Sequence, residues 1–150
     1  YRRGQDLMQS GATRQALVRF HTIHKYLLLA HSAPHYRQLG RLVAQVNEYR
    51  PKDLAIRYGE LFMQALAAKA TVRKHVNVLQ HILGHFKERL DAQEKAELLG
   101  VIADYHQGLT PLIVPLTLIK HYVQLFDVAY IREQVYLNPH PKELMLRNHV

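Results

Sequence analysis

A chain of 150 residues, 48% of them hydrophobic, can bury a core of its own and is too apolar to be a disordered tail. It has no cysteine, which excludes disulfides, zinc–thiolate sites and cysteine-held iron–sulfur clusters built from this chain alone, and which fits a cytoplasmic home. Its 20 Lys and Arg outnumber its 12 Asp and Glu for a net charge of +8, a surplus that concentrates polyanions at a surface by long-range attraction and counterion release.

That surplus is uneven. Residues 1–50 hold eight basic and two acidic side chains, residues 51–100 eight and six, and residues 101–150 four of each. The chain opens at Tyr1 rather than Met, and residues 1–12 read as a polar leader or linker end before a helical domain spanning 13–150. Thr13 to His31 carries Leu17, Phe20, Ile23, Leu27 and Ala30 at three- and four-residue steps, which predicts one amphipathic helix. Ser32-Ala33-Pro34 breaks it, because Pro34 lacks an amide donor and restrains the residue before it. Pro34 also suits the first turn of a second helix, running to about Tyr49, with Tyr36, Leu39, Leu42, Val43 and Val46 on its apolar face.

Pro51 opens a third helix. From Leu54 through Tyr58, Leu61, Ala65, Ala68, Val72, Val76, Leu79, Leu83 and Phe86 to Leu90 the apolar residues keep nearly one stripe. Either a single helix runs over 53–90, or a break falls near Ala70–Thr71, where Thr71 can cap; ordinary helix length favours the break. Asp91-Ala-Gln-Glu94 has the form of a capping box and starts the next helix, which ends near Gln107 with Gly108 as a left-handed cap. Leu109 to Pro115 is apolar but holds Pro111 and Pro115, so it reads as a buried, partly extended crossing. The stretch to Ile119 is too short and too interrupted to span a bilayer, and no membrane partner is expected. Helices follow over about 115–126 and 127–137, then a turn at Asn138-Pro139-His140-Pro141 and a short helix in the tail. No stretch alternates with period two. The fold class is therefore all-α, a single compact bundle of about six to seven helices.

Three groups of residues could carry function. Arg14, Arg19, His21 and Lys25 on the first helix and Arg37 and Arg41 on the second could form a basic groove. Arg73, Lys74, Asn77 and His81, with Glu88, fall opposite the apolar face of the helix expected over 72–90, where cationic, amide and imidazole groups can bond phosphates and sugar hydroxyls. The 11 histidines include His21 and His24, three apart, and His81 and His85, four apart. Such spacing lets two imidazoles share a metal, with a carboxylate such as Glu48, Glu60 or Glu88 as a further ligand, in a metal-dependent enzyme. No HExxH motif supports this, and His24 and His75 fall in apolar sectors, where hydrogen-bonded core histidines are expected. The nine tyrosines could stack on unpaired bases, although Tyr26, Tyr58 and Tyr122 sit at core positions. There is no Walker loop, GxGxxG or GxSxG, and Ser10 and Ser32 are the only serines, so no catalytic residue is assigned. The Leu109 to Val114 segment is a candidate apolar patch for docking a catalytic partner.

Four segments in order resemble the YbgA family: Arg19-Phe-His-Thr-Ile-His-Lys-Tyr-Leu-Leu-Leu-Ala-His-Ser32, Lys74-His-Val-Asn-Val-Leu-Gln-His81, Pro111-Leu-Ile-Val-Pro-Leu-Thr-Leu118 with His121-Tyr122, and Tyr136-Leu-Asn-Pro-His-Pro-Lys-Glu-Leu-Met-Leu-Arg-Asn148. The resemblance implies a helical domain that occurs alone or as the C-terminal partner of RudS-type desulfidases, which remove sulfur from 4-thiouridine in tRNA. It further implies that the iron–sulfur cluster belongs to the other, catalytic domain, that this chain holds no cofactor and performs no catalysis alone, and that its partners are tRNA and a fused or separate desulfidase domain.

Overall fold

The computed structural model describes residues 14–138. Over these the chain forms eight α-helices: α1 (Arg14–Ile23), α2 (Lys25–His31), α3 (Ala33–Ala44), α4 (Pro51–Ala67), α5 (Val72–Gly84), α6 (Ala92–His106), α7 (Ile113–Leu125) and α8 (Ala129–Arg132). Short 3-10 turns stand at Val46–Glu48, Lys87–Arg89 and Val135–Leu137, and no strand occurs among the described residues. The all-α class is thus as expected, and the described helices gather in two compact units that meet in sequence at Lys69 and Ala70. None is long and apolar enough to cross a membrane. The expected leader over 1–12, the turn beyond Asn138 and the tail helix lie outside the described residues.

In the first unit, Leu17 and Phe20 of α1, Leu28 of α2, Leu39 of α3 and Leu54, Tyr58, Phe62 and Ala65 of α4 form the core. The single helix expected over 13–31 is interrupted at His24. There the backbone leaves helical geometry (φ −100°, ψ 6°), and the imidazole Nδ1 donates to the Phe20 carbonyl at 2.7 Å. A side-chain donor that engages a carbonyl of the preceding turn competes with the backbone ladder and bends it. The ring then stacks on Phe20, centroids 4.0 Å apart, inside the core.

Ser32 ends α2 and begins α3. Its hydroxyl accepts from the His35 amide at 3.3 Å, with Pro34 in the first turn. The second helix stops at Ala44, short of the expected Tyr49, and a 3-10 turn completes the segment. His31 Nδ1 donates to the Ala68 carbonyl at 2.8 Å and so satisfies a group at the C-terminal end of α4.

The second unit begins at the break favoured by helix length. Thr71 caps α5 by accepting from the Lys74 amide at 3.2 Å. That helix ends at Gly84 rather than Leu90, yet Phe86 and Leu90 stay buried because the following 3-10 turn keeps them on the inner side. The capping box forms as read: Asp91 Oδ1 accepts from the Glu94 amide at 2.7 Å, and Glu94 Oε1 accepts from the Asp91 amide at 2.9 Å. Gly108 takes φ +80°. The Leu109 amide donates to the Asp104 carbonyl and the Gly108 amide to the Tyr105 carbonyl, the two bonds of a Schellman motif.

Two expectations change beyond this point. The segment 109–115 is not a buried extended crossing: Leu109 is 69% exposed, and α7 starts at Ile113. Pro115 fits because it stands in the first turn, where no intrahelical donor is required. The helix expected over 127–137 is reduced to the single turn of α8, since Asp127 takes φ +50° and Gln134 is extended. The core here comprises Leu79, Ile82 and Leu83 of α5, Leu98, Ile102 and Tyr105 of α6, and Leu116, Ile119 and Tyr122 of α7. His75 Nδ1 pairs with the Tyr136 hydroxyl at 2.6 Å, which ties the last 3-10 turn to α5.

Candidate nucleic-acid interface

The basic residues singled out on the first unit do not share one environment. Arg19 on α1 is exposed, as are Arg37 and Arg41, one turn apart on α3. Arg14 is half-buried and donates to the Tyr49 carbonyl at 3.1 Å, so it braces the 3-10 turn after α3. Lys25, also half-buried, holds its ammonium 5.4 Å from the Tyr26 ring centroid.

His21 departs from the exposed stripe on which the helical wheel placed it. It is only 9% exposed, its Nδ1 pairs with the Tyr58 hydroxyl at 2.9 Å, and its ring lies parallel to Tyr36 at 4.9 Å between centroids. Burial lowers its pKa below the ordinary 6.5, so it is a neutral hydrogen-bonding ring at physiological pH and supplies no cation to a phosphate. The reason is packing. His21 lies beside the buried Leu17 on α1, and α3 and α4 cover that face with Tyr36 and Tyr58.

On the second unit, Arg73, Asn77 and His81 form one exposed ridge along α5 at four-residue spacing. Lys74 is half-buried beside the Thr71 cap, and Glu88 is exposed on the 3-10 turn rather than on the helix. His85 is the C-cap residue of α5, with its ring 5.8 Å from Tyr130. The core histidines expected at 24 and 75 are indeed buried and hydrogen-bonded, while His81 is exposed. Among the described residues no three His, Asp or Glu side chains are grouped to hold a metal ion.

Two grooves stand out on the described surface. One, of about 480 Å³, runs along the first unit between Gln38, Arg41, Leu42 and Gln45 on one side and Arg57, Glu60, Leu61 and Gln64 of α4 on the other. Leu42 and Leu61 are half-buried against the core and make an apolar floor, and the six polar side chains are exposed. The Arg57 guanidinium lies over the Tyr49 ring at 5.2 Å. Of its polar residues, sequence reasoning singles out Arg41 as a basic contact and Glu60 only as a spare metal ligand. The signal for the rest is present, since 38, 41, 42, 45 and 57, 60, 61, 64 share the same three- and four-residue steps, but it lies in the polar positions between apolar ones. The other groove, of about 600 Å³, is apolar and lies on the second unit between Val101 of α6 and Ile113, Val114, Thr117, Leu118 and His121 of α7. Within the proposed docking patch, Leu112 is fully buried and Leu109 and Val114 are exposed.

Residues 25–141 match the family described as a protein of unknown function (DUF1722). The uncharacterized protein YbgA of Escherichia coli strain K12 is 36% identical over 143 residues, which cover 95% of this chain and 85% of the relative. No solved structure matches.

Proposed function

The chain belongs to the DUF1722 family, the YbgA-like proteins, and we propose that it is an RNA-binding accessory domain that binds tRNA in the cytoplasm and presents it to a thiouridine-removing desulfidase domain lying outside this chain. The observation that carries the reading is the placement of the positive charge. The surplus is concentrated in residues 1–50, and Arg19, Arg37 and Arg41 from that stretch stand on solvent-facing helix surfaces. Arg73, Asn77 and His81 add a second exposed ridge of groups that bond phosphates and sugar hydroxyls. The absence of cysteine leaves no thiolate for an iron–sulfur cluster in this chain, which is consistent with a reading in which such a cofactor and its chemistry reside in the catalytic partner.

A gel shift against total tRNA, over a salt series and with duplex DNA as competitor, tests the reading. Binding that falls steeply with salt and survives DNA competition is expected. Absence of binding at low salt refutes it. A protein-docking role has one observation of its own, the apolar groove along α7 together with the exposed Leu109. Failure of the domain to co-sediment with a separately expressed desulfidase half removes that role.

A further inference from the structure

Phosphate contacts fix the register of a bound nucleic acid but carry no sequence information, which comes from base edges. The ridges at 19, 37 and 73–81 are of the first kind. The groove between α3 and α4 is built differently, and we propose that it is a base-reading subsite that takes one unstacked guanine nucleotide of the bound RNA. The proposal rests on the RNA-binding role above and names the feature of the RNA that this surface recognises.

The groove has the size and the division of labour of a nucleotide site. Its volume of about 480 Å³ lies within the roughly 300–1,000 Å³ typical of small-ligand pockets. The floor of Leu42 and Leu61 is apolar and packed on the core, so it can cover the face of a planar base without a desolvation cost. The walls carry three amides, Gln38, Gln45 and Gln64, each with two N–H donors and a carbonyl acceptor, the complement of a base edge. Arg41 and Arg57 reach the groove from opposite sides and offer forked donors suited to phosphate or to a pair of base acceptors. Arg57 is steadied by the Tyr49 ring beneath it, which reduces the rotamer freedom given up on binding.

The choice of base follows from Glu60. A carboxylate in a site for polyanionic RNA costs affinity unless it accepts hydrogen bonds from the ligand. Guanine presents two adjacent donors, N1–H and the N2 amino group, to the two oxygens of one carboxylate, and presents O6 and N7 acceptors to an arginine fork. Adenine places the N1 acceptor where a carboxylate also accepts. Uracil offers one N–H flanked by two carbonyls, and cytosine one amino group beside an acceptor nitrogen. A set containing both a carboxylate and guanidinium groups therefore favours guanine. Because single-stranded loops and ends are where RNA exposes unstacked bases, the subsite takes a loop or terminal guanine.

The test uses the whole chain and isothermal titration with GMP, AMP, UMP, CMP and inorganic phosphate. GMP is expected to bind about tenfold more tightly than the other three nucleotides, the scale set by one bidentate base contact, and phosphate alone more weakly still. Glu60→Gln, at an exposed helical position and expected to keep the wild-type circular dichroism spectrum, should abolish the GMP preference by weakening GMP binding without weakening UMP binding. Equal affinities for the four nucleotides, phosphate binding as tight as GMP binding, or a GMP preference that survives Glu60→Gln each overturn the proposal. The gel shift separates the two levels: tRNA binding without base discrimination refutes only the guanine subsite, whereas no tRNA binding refutes the RNA role together with it.

Discussion

Replacing Tyr58 by Phe isolates the polar half of the first unit's core. The ring stays: Tyr58 is 2% exposed, meets Phe20 edge-on at 5.9 Å and stacks on Phe62 at 6.1 Å, and a phenyl group preserves this packing. What goes is the hydroxyl 2.9 Å from His21 Nδ1. Burial, reinforced by the neighbouring Tyr36, holds the phenol well above its ordinary pKa, so it remains a protonated partner at any pH used for the measurement. Removing one member of a buried pair leaves the other desolvated, at a cost of about 1–3 kcal/mol. For a chain of this length that corresponds to a fall in Tm of roughly 2–4 °C per kcal/mol. Urea denaturation followed by circular dichroism should show a lower midpoint at unchanged slope.

The wild type should carry a pH signature from the same site. His21 has its folded pKa lowered below 6.5, so the unfolded chain takes up a proton that the fold refuses. The stability His21 contributes is therefore complete above pH about 6.5 and is lost as pH falls through that value towards the lowered folded pKa. His21→Phe should remove that acid-side slope. A Tyr58→Phe variant as stable as the wild type, or one that no longer binds tRNA yet keeps its stability, would refute the structural role given to this pair.

Three further outcomes are expected. Reversing charge at Arg73→Glu and Lys74→Glu should weaken tRNA binding and flatten its log–log salt slope by about 0.7 for each single-strand phosphate no longer neutralised; unchanged affinity would count against the α5 ridge. Gly100→Ala, at an exposed interior position of α6 where an added Cβ meets nothing within 4 Å, should stabilise the chain by about 0.5–1 kcal/mol in urea titrations. Gly108→Ala, at φ +80° in the Schellman cap, should instead cost about 1–2 kcal/mol, the penalty of a left-handed backbone with a side chain.

The features legible in the sequence were those with a local physical cause. Thr71, Asp91–Glu94 and Gly108 each act through a cap that involves only neighbouring backbone, and each forms as read. Helix periodicity likewise placed Tyr26, Tyr58, Tyr122, His24 and His75 in the interior. The misplacements arise where tertiary packing decides. A wheel drawn for the first helix counts His21 as polar and cannot show that α3 and α4 cover it, with Tyr36 stacked on the ring and the Tyr58 hydroxyl bonded to it. Apolar content made 109–115 read as buried, yet Leu109 follows the left-handed Gly108 and is left in solvent. The groove between α3 and α4 was missed for a related reason. Its polar residues come from two helices, and only the tertiary fold shows that Gln38 and Gln64 line the same cleft.

The histidines show how such packing changes chemistry inferred from spacing. His21 and His24 stand at a separation suited to a shared metal, but their Nδ1 atoms are engaged by different partners, the Tyr58 hydroxyl and the Phe20 carbonyl. His31 is engaged by the Ala68 carbonyl and His75 by the Tyr136 hydroxyl. A carbonyl only accepts, so in His24 and His31 the Nδ1 atom must carry the proton. These rings act as fixed hydrogen-bonding groups that hold helix ends and turns in place, a role glutamine or asparagine could fill only without the aromatic face that His21 and His24 stack on Tyr36 and Phe20. Imidazole supplies both, a flat apolar surface and a directional polar edge, which accounts for its use inside a core that also needs bends. The candidates for contact with an anionic partner are consequently the exposed arginines, the amides and His81, while His21, His24, His31 and His75 serve the packing of their own units.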